Sequence, residues 1–232
     1  MKKNLPFVFS NFAMTADGKI AFAGGKFTPF GGRRDLEHLY ELRATADAVM
    51  CGARTVEATG TILGNGGGKF RKLRLKHGLA EFPVRVLVSG SGSINPAAKI
   101  FRKRFSPVVV LTTGRISKSN LKELLAVADE VKICGKSEIN FPAALRWLRE
   151  KWKVKRLLCE GGGELHSTLI HGGLLDELNL TVCPKIFGGR NAPTIADGAG
   201  FSRLADAAQF KLKSINRVGD ELFAVFSRRK TG

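Results

Sequence analysis

Cysteine is scarce in this 232-residue chain, and its placement excludes two common uses. Cys51, Cys134, Cys159 and Cys183 include no CxxC pair, so neither a metal cluster nor a disulfide framework is expected. Three of them lie in or beside apolar strand-like runs, where a thiol packs as a small hydrophobe, and a reducing cytoplasm fits that usage. No apolar run approaches the roughly 20 residues a helix needs to cross a bilayer, so no membrane span is expected. Met1-Lys2-Lys3 ahead of the apolar run 5–14 has the order of a signal peptide, but Pro6, Ser10 and Asn11 interrupt that run and Asp17 follows it closely. Acidic side chains are also few: 20 stand against 38 basic ones, a formal net charge of +18. Such a balance raises nucleic acid as a partner, yet the basic residues are spread over 69–76, 102–104, 151–156 and 228–230. Only Lys69-Phe70-Arg71-Lys72 interleaves an aromatic, and no nucleic-acid motif is present. The surplus is read as a solvated surface that also attracts phosphorylated small molecules.

Several catalytic schemes are missing as well. There is no HExxH, no paired Cys/His pattern and no GxSxG elbow. The four histidines, His38, His77, His166 and His171, are scattered; His166, one turn into a predicted helix, reads as a helix-surface residue or as one approaching a ligand. A hydride transfer suits what remains, because there the cofactor carries the chemistry and the protein supplies position and charge.

The most informative stretch is 155–189. Residues 156–159 form a short apolar run, the mark of a buried strand. Gly161-Gly162-Gly163 follow at once, then Leu165, Leu169 and Ile170 at helical spacing, with Gly172-Gly173 as a stop. A second strand is expected over 177–182. A helix N-terminus offers unpaired N–H groups and partial positive charge, and preceding glycines let backbone approach an anion. The glycines therefore seat a phosphate or merely make a tight turn; both readings stand on the residues alone.

Along the chain, 5–14 reads as a strand and 15–19 as a turn with Asp17 before Gly18. A loop bearing Gly24, Gly25, Gly31 and Gly32 leads to a helix anchored by Leu36, Leu39, Tyr40 and Leu42 and running to about Ala46. Strands are expected at 48–51, 84–89, 108–112 and 130–134, with a turn and helix opening at 52–56. The five glycines within 59–68 predict a mobile surface loop. Ser117 or Ser119 can cap one helix, and Pro142 suits the first turn of another. Strands at 210–218 and 221–227 around Gly219-Asp220 signal a hairpin. This alternation predicts an α/β fold with a mixed, mostly parallel central sheet flanked by helices and ending in a β-hairpin. No linker or repeat divides the chain, so one domain over 1–232 is expected, with its core at roughly 5–227.

Four segments, 10–19, Glu160-Gly161-Gly162-Gly163, 175–178 and 184–200, together resemble the pyrimidine reductases of riboflavin biosynthesis, a family with a dihydrofolate-reductase-like fold. The resemblance covers nearly the whole chain and implies the standalone form, without the deaminase domain often fused to it. It implies NADPH-dependent reduction of 5-amino-6-(5-phosphoribosylamino)uracil, or its undeaminated counterpart, to the ribityl product, and a cytoplasmic homodimer. By resemblance, Gly161, Gly162 and Gly163 with Glu164 and Leu165 at the helix start would hold the cofactor diphosphate, and Gly52 and Thr55 are further cofactor contacts. Lys19 and Asp17 are the catalytic candidates, Lys19 lying near the substrate's sugar. Arg43 would meet the substrate phosphate and Glu160 the pyrimidine, with Leu63 beside them. On the residues alone, Lys19, Arg43 and Glu160 also read as a solvated lysine, a surface helix arginine and a turn acid.

One segment departs from the family pattern. Where an Asp-Asp-Pro or Asp-Asn-Pro element is usual after Thr-Val, this chain has Thr59-Gly60-Thr61. Two other readings therefore stand beside the riboflavin reductase: a paralogous NADPH oxidoreductase acting on another substrate such as a pterin, and a basic nucleic-acid-binding module that has lost catalysis.

Overall fold

A computed structural model describes residues 4–24 and 28–229. Met1-Lys2-Lys3, Gly25 of the first glycine-bearing loop and Lys230 of the last basic run lie outside the described residues. The chain forms two compact units: Tyr40–Leu158 with the chain start up to Phe7, and Val8–Leu39 with the chain from Cys159 onward.

In the first unit the strands β2 (Ala48–Gly52), β3 (Val84–Val88), β4 (Val108–Thr112), β5 (Glu130–Ile133) and β6 (Arg156–Cys159, to Leu158 in this unit) take the order β5-β4-β3-β2-β6. The pairs β2/β3, β3/β4 and β4/β5 are parallel. β4 reads Val-Val-Val-Leu-Thr and is buried throughout, as expected of a parallel strand covered on both faces. Its helices are α2 (Ala53–Thr59), α3 (Gly68–Lys76), α4 (Lys99–Arg102), α5 (Lys118–Val127) and α6 (Phe141–Lys151). The Ser117 hydroxyl accepts from Asn120 N at 3.1 Å and caps α5. Pro142 lies in the first turn of α6, capped by Asn140, while Phe141, Ala144, Leu145 and Leu148 bury one face.

In the second unit, β1 (Phe7–Thr15), β7 (Glu177–Cys183), β9 (Glu221–Arg228) and β8 (Phe210–Val218) run in the order β1-β7-β9-β8. β1/β7 is parallel; β7/β9 and β8/β9 are antiparallel. Val218 pairs with Glu221 across Gly219-Asp220, and Gly219 has a φ of +61°, so the hairpin stands where its turn residues place it. α7 (Gly163–His171) buries Leu165, His166, Leu169 and Ile170. The α/β class, the mostly parallel mixed sheet and the C-terminal hairpin agree with the sequence. No helix among the described residues is long and apolar enough to cross a membrane.

Four features differ from expectation. The first helix, α1, spans Arg33–Arg43 and stops before Ala46, because Arg74 Nη1 donates to the carbonyls of both Arg43 and Ala46 and holds the chain in a turn. α3 and α4 were not expected. The 59–68 segment is no simple surface loop: Leu63 and Asn65 are buried, and Asn65 Nδ2 donates to Glu81 O at 2.9 Å.

Candidate active site

The glycine turn grows from the end of β6. Gly161 has a φ of +102°, which disfavours any side chain, and a Cβ there would sit 3.3 Å from the Phe12 ring. The peptide between Gly161 and Gly162 is cis. At Gly163 a Cβ would overlap the Asp197 carboxylate and the Thr194 carbonyl. Gly162 is different: its φ of −76° and ψ of −175° lie outside the left-handed region that favours glycine. No side chain caps α7, whose first turn carries Gly163, Glu164 and Leu165. A helix start without a side-chain cap, behind glycines, can seat a diphosphate through backbone N–H groups and the helix dipole.

His166 is fully buried, contrary to both sequence readings of it. Its Nδ1 lies 2.6 Å from Ile195 O, and a carbonyl only accepts, so Nδ1 carries the proton. Nε2 therefore accepts from the Ser10 hydroxyl at 2.9 Å. The Phe12 ring lies 4.5 Å away, centroid to centroid. Burial lowers the imidazole pKa to about 4, with the Ile195 carbonyl acting in the opposite sense. The neutral ring ties α7 to β1 and to the 189–197 loop.

The turn after β1 is anchored to the same loop region. The Asp17 carboxylate accepts from Thr15 Oγ1 at 2.5 Å, Phe187 N at 3.2 Å and Gly188 N at 2.7 Å. The Thr15 hydroxyl, then the Gly188 and Phe187 amides, hold its pKa below the ordinary value, outweighing burial. Lys19 Nζ donates to Ala192 O at 3.2 Å. The same loop returns to the glycine turn, where Asp197 N donates to Gly163 O at 3.3 Å. Lys19, Asp17 and the α7 start are thus joined through 187–197. Glu160 is half-buried at the C-terminal end of β6.

The remaining candidates belong to the other unit. Arg43 ends α1, only 5% exposed; its Nη1 donates to Gly64 O at 2.8 Å and its guanidinium lies 5.3 Å from the Tyr40 ring centroid. Behind it, buried Arg74 also donates Nε to Ala80 O at 2.8 Å, and burial lowers its pKa to about 10 against the pull of Asp47. Gly52 precedes α2 and Thr55 lies in its first turn. At the far end, Thr59 Oγ1 donates to Thr55 O at 2.7 Å and accepts from Thr61 N at 3.1 Å. Thr61 Oγ1 in turn accepts from Leu63 N at 3.3 Å. Leu63 is buried with a φ of +51°, an uncommon conformation for a branched apolar residue. Two consecutive threonine turns supply stiffness here by hydrogen bonding. Arg43 and Leu63 meet through Gly64; Gly52 and Thr55 stand at the opposite end of α2.

Sequence reasoning missed Arg74 and the structural role of His166. A mid-helix arginine resembles a solvated one, and neither has a local signal. Among the described residues, no group of three or more His, Cys, Asp or Glu side chains could hold a metal.

Residues 6–224 match the family model of the RibD C-terminal domain. A full-length relative, 2,5-diamino-6-ribosylamino-4(3H)-pyrimidinone 5′-phosphate reductase from Methanothermobacter thermautotrophicus, is 32% identical over 96% of this chain and 98% of its own. Among solved structures, RibD from Acinetobacter baumannii superposes with a TM-score of 0.76 at 21% identity, covering 98% of this chain and 59% of that one. A pyrimidine reductase-like protein from Corynebacterium diphtheriae gives a TM-score of 0.82 at 21% identity, covering 99% and 94% of the two chains. Both structural likenesses concern the fold.

Proposed function

Because this chain belongs to the RibD C-terminal domain family, we propose that it is an NADPH-dependent reductase of 2,5-diamino-6-ribosylamino-4(3H)-pyrimidinone 5′-phosphate, or of its deaminated counterpart, in riboflavin biosynthesis. The observation that carries this reading is the 32% identity to a reductase of that name over nearly the full length of both chains. NADPH, when bound, supplies hydride to the first carbon of the ribose as its ring opens to the ribityl chain.

The protein's own groups bind and orient. Gly161, Gly162 and Gly163 with the backbone of Glu164 and Leu165 hold the diphosphate; Gly52 and Thr55 are further cofactor contacts. Arg43, kept rigid by Gly64 and by Arg74 behind it, offers positive charge to the substrate phosphate. Glu160 accepts from the pyrimidine, and Leu63 packs beside the substrate. Lys19 places an ammonium near the sugar oxygen that gains a proton as the ring opens. Asp17 steadies that turn through its bonds to Thr15, Phe187 and Gly188. The chain as a whole is read as one reductase domain.

The enzyme works in the cytoplasm as a homodimer. The exposed β8–β9 ribbon supports that state: Leu212, Ile215 and Leu222 are 47%, 55% and 38% exposed and share one face by register. A substrate panel tests the reading. NADPH consumption should require the phosphorylated ribosylaminopyrimidine, fall steeply with its dephosphorylated form and be absent with a dihydropterin. Turnover of the pterin alone would overturn the proposal.

A further inference from the structure

We propose that Arg115, in the turn that follows β4, binds the 2′-phosphate of NADPH and sets a preference for it over NADH. The inference rests on the nicotinamide-cofactor reading above. In a parallel sheet, ligands gather at the carboxyl ends of the strands. Within the first unit β2, β3 and β4 are adjacent and parallel, ending at Gly52, Val88 and Thr112. Gly52 and Thr55, the proposed cofactor contacts, stand at the first of these ends. At roughly 4.8 Å per strand, the end of β4 lies about 10 Å further along, within the reach of an adenosine and its 2′ substituent.

The turns in between are fixed by hydrogen bonds. The β3 turn reads Ser89-Gly90-Ser91-Gly92, closed by Gly92 N to Ser89 O at 3.1 Å. Gly90 O accepts from the Thr113 hydroxyl at 2.5 Å, which locks the β3 turn to the β4 turn. Arg115 N donates to Thr113 Oγ1 at 3.2 Å and Ile116 N to Thr113 O at 3.2 Å. Ile116 in turn fills the space a Cβ would take on Gly92. With its backbone held this way, Arg115 lays its guanidinium over Gly90, where a Cβ would come within 3.0 Å of Nη2. Glycine at position 90 is therefore what lets the guanidinium lie on the turn.

That guanidinium is unspent. Arg115 is exposed, and among the described residues its side chain enters no hydrogen bond or ion pair. Other arginines of this unit are committed: Arg43 to Gly64 O, Arg71 to Glu81, and Arg74 and Arg85 to buried carbonyls. Arg54 at the β2 end already has an interaction of its own. A planar guanidinium matches a phosphate dianion bidentately.

Calorimetric titration with adenosine 2′,5′-bisphosphate and with 5′-AMP tests this without turnover. Wild-type protein should bind the bisphosphate more tightly. Arg115→Gln should weaken it about tenfold or more while leaving 5′-AMP unchanged, and Arg115→Lys should recover part of the loss. Unchanged preference in Arg115→Gln, or equal loss for both nucleotides, would overturn the assignment. A wild type that binds both nucleotides equally also overturns it while sparing the cofactor reading. A wild type that binds neither removes the cofactor reading together with this inference.

Discussion

Acid should weaken this protein in part through His166. The ring is fully buried and neutral, its Nδ1–H given to Ile195 O and its Nε2 accepting from Ser10. Its folded pKa of about 4 stands below the ordinary histidine value of 6.5. The unfolded chain therefore takes up a proton before the folded one does. Stability from this group is present above pH 6.5, is lost as pH falls from 6.5 to 4, and changes no further below that. A shift of this size corresponds to about 3 kcal/mol in all, of which about 2 kcal/mol is gone by pH 5. Urea unfolding of wild type and His166→Gln at pH 7 and pH 5 isolates the effect, since the other titrating groups are common to both. The wild type should lose about 2 kcal/mol more than the variant over that interval, and NADPH affinity should fall with it, because His166 ties α7 to the 189–197 loop. A proton NMR titration of the wild-type ring provides a second route if the variant does not fold. Parallel losses in the two proteins, or a ring that titrates near pH 6.5, would refute the reasoning.

The remaining expectations concern the binding residues. Gly162→Val is the preferred probe of the diphosphate seat, because its φ lies outside the left-handed region whereas Gly161 has a positive φ and a Cβ on Gly163 would overlap Asp197; NADPH should bind about tenfold more weakly, roughly 1.4 kcal/mol. Arg43→Ala should chiefly raise the Michaelis constant for the phosphorylated substrate, and steady-state kinetics at saturating NADPH will show whether kcat is spared. Arg74→Met should raise that constant too, and should also cost about 2 kcal/mol or more in urea unfolding, since three carbonyl contacts lose their donor. Lys19→Ala should reduce kcat sharply with NADPH affinity intact, as measured by fluorescence titration.

Where local chemistry is decisive, the elements were legible. Val108-Val109-Val110-Leu111-Thr112 is a strand because a β-branched run can be buried on both faces, and Gly219-Asp220 makes the hairpin turn. α3 is not legible because its buried positions are Phe70 and Arg74, and an arginine in the apolar stripe breaks the pattern. α4 is a single turn, too short for periodicity. The end of α1 is not legible because Ala44 and Ala46 look helical, whereas Arg74, some thirty residues away, holds them in a turn. The same limit applied to the site. Family resemblance pointed to Lys19, Arg43, Glu160 and the glycine turn, and the comparisons support the riboflavin-pathway family over the pterin alternative. What holds these residues is not written near them: Asp17 depends on Gly188, Lys19 on Ala192, and Gly163 on Asp197. The Thr59-Gly60-Thr61 departure gains a physical meaning only in three dimensions, as hydroxyl turns that stiffen the path to Leu63.

The most direct test of the central claim is to follow the transferred hydrogen. Purified protein would be given NADPH deuterated at the transferring carbon of its nicotinamide ring, with the ribosylaminopyrimidine 5′-phosphate as substrate, and the product examined by mass spectrometry and NMR. The expected result is a ribitylaminopyrimidine phosphate carrying one deuterium on the first carbon of its ribityl chain. Recovery of unreduced pyrimidine with the labelled cofactor intact, or deuterium at any other carbon, would contradict the assignment.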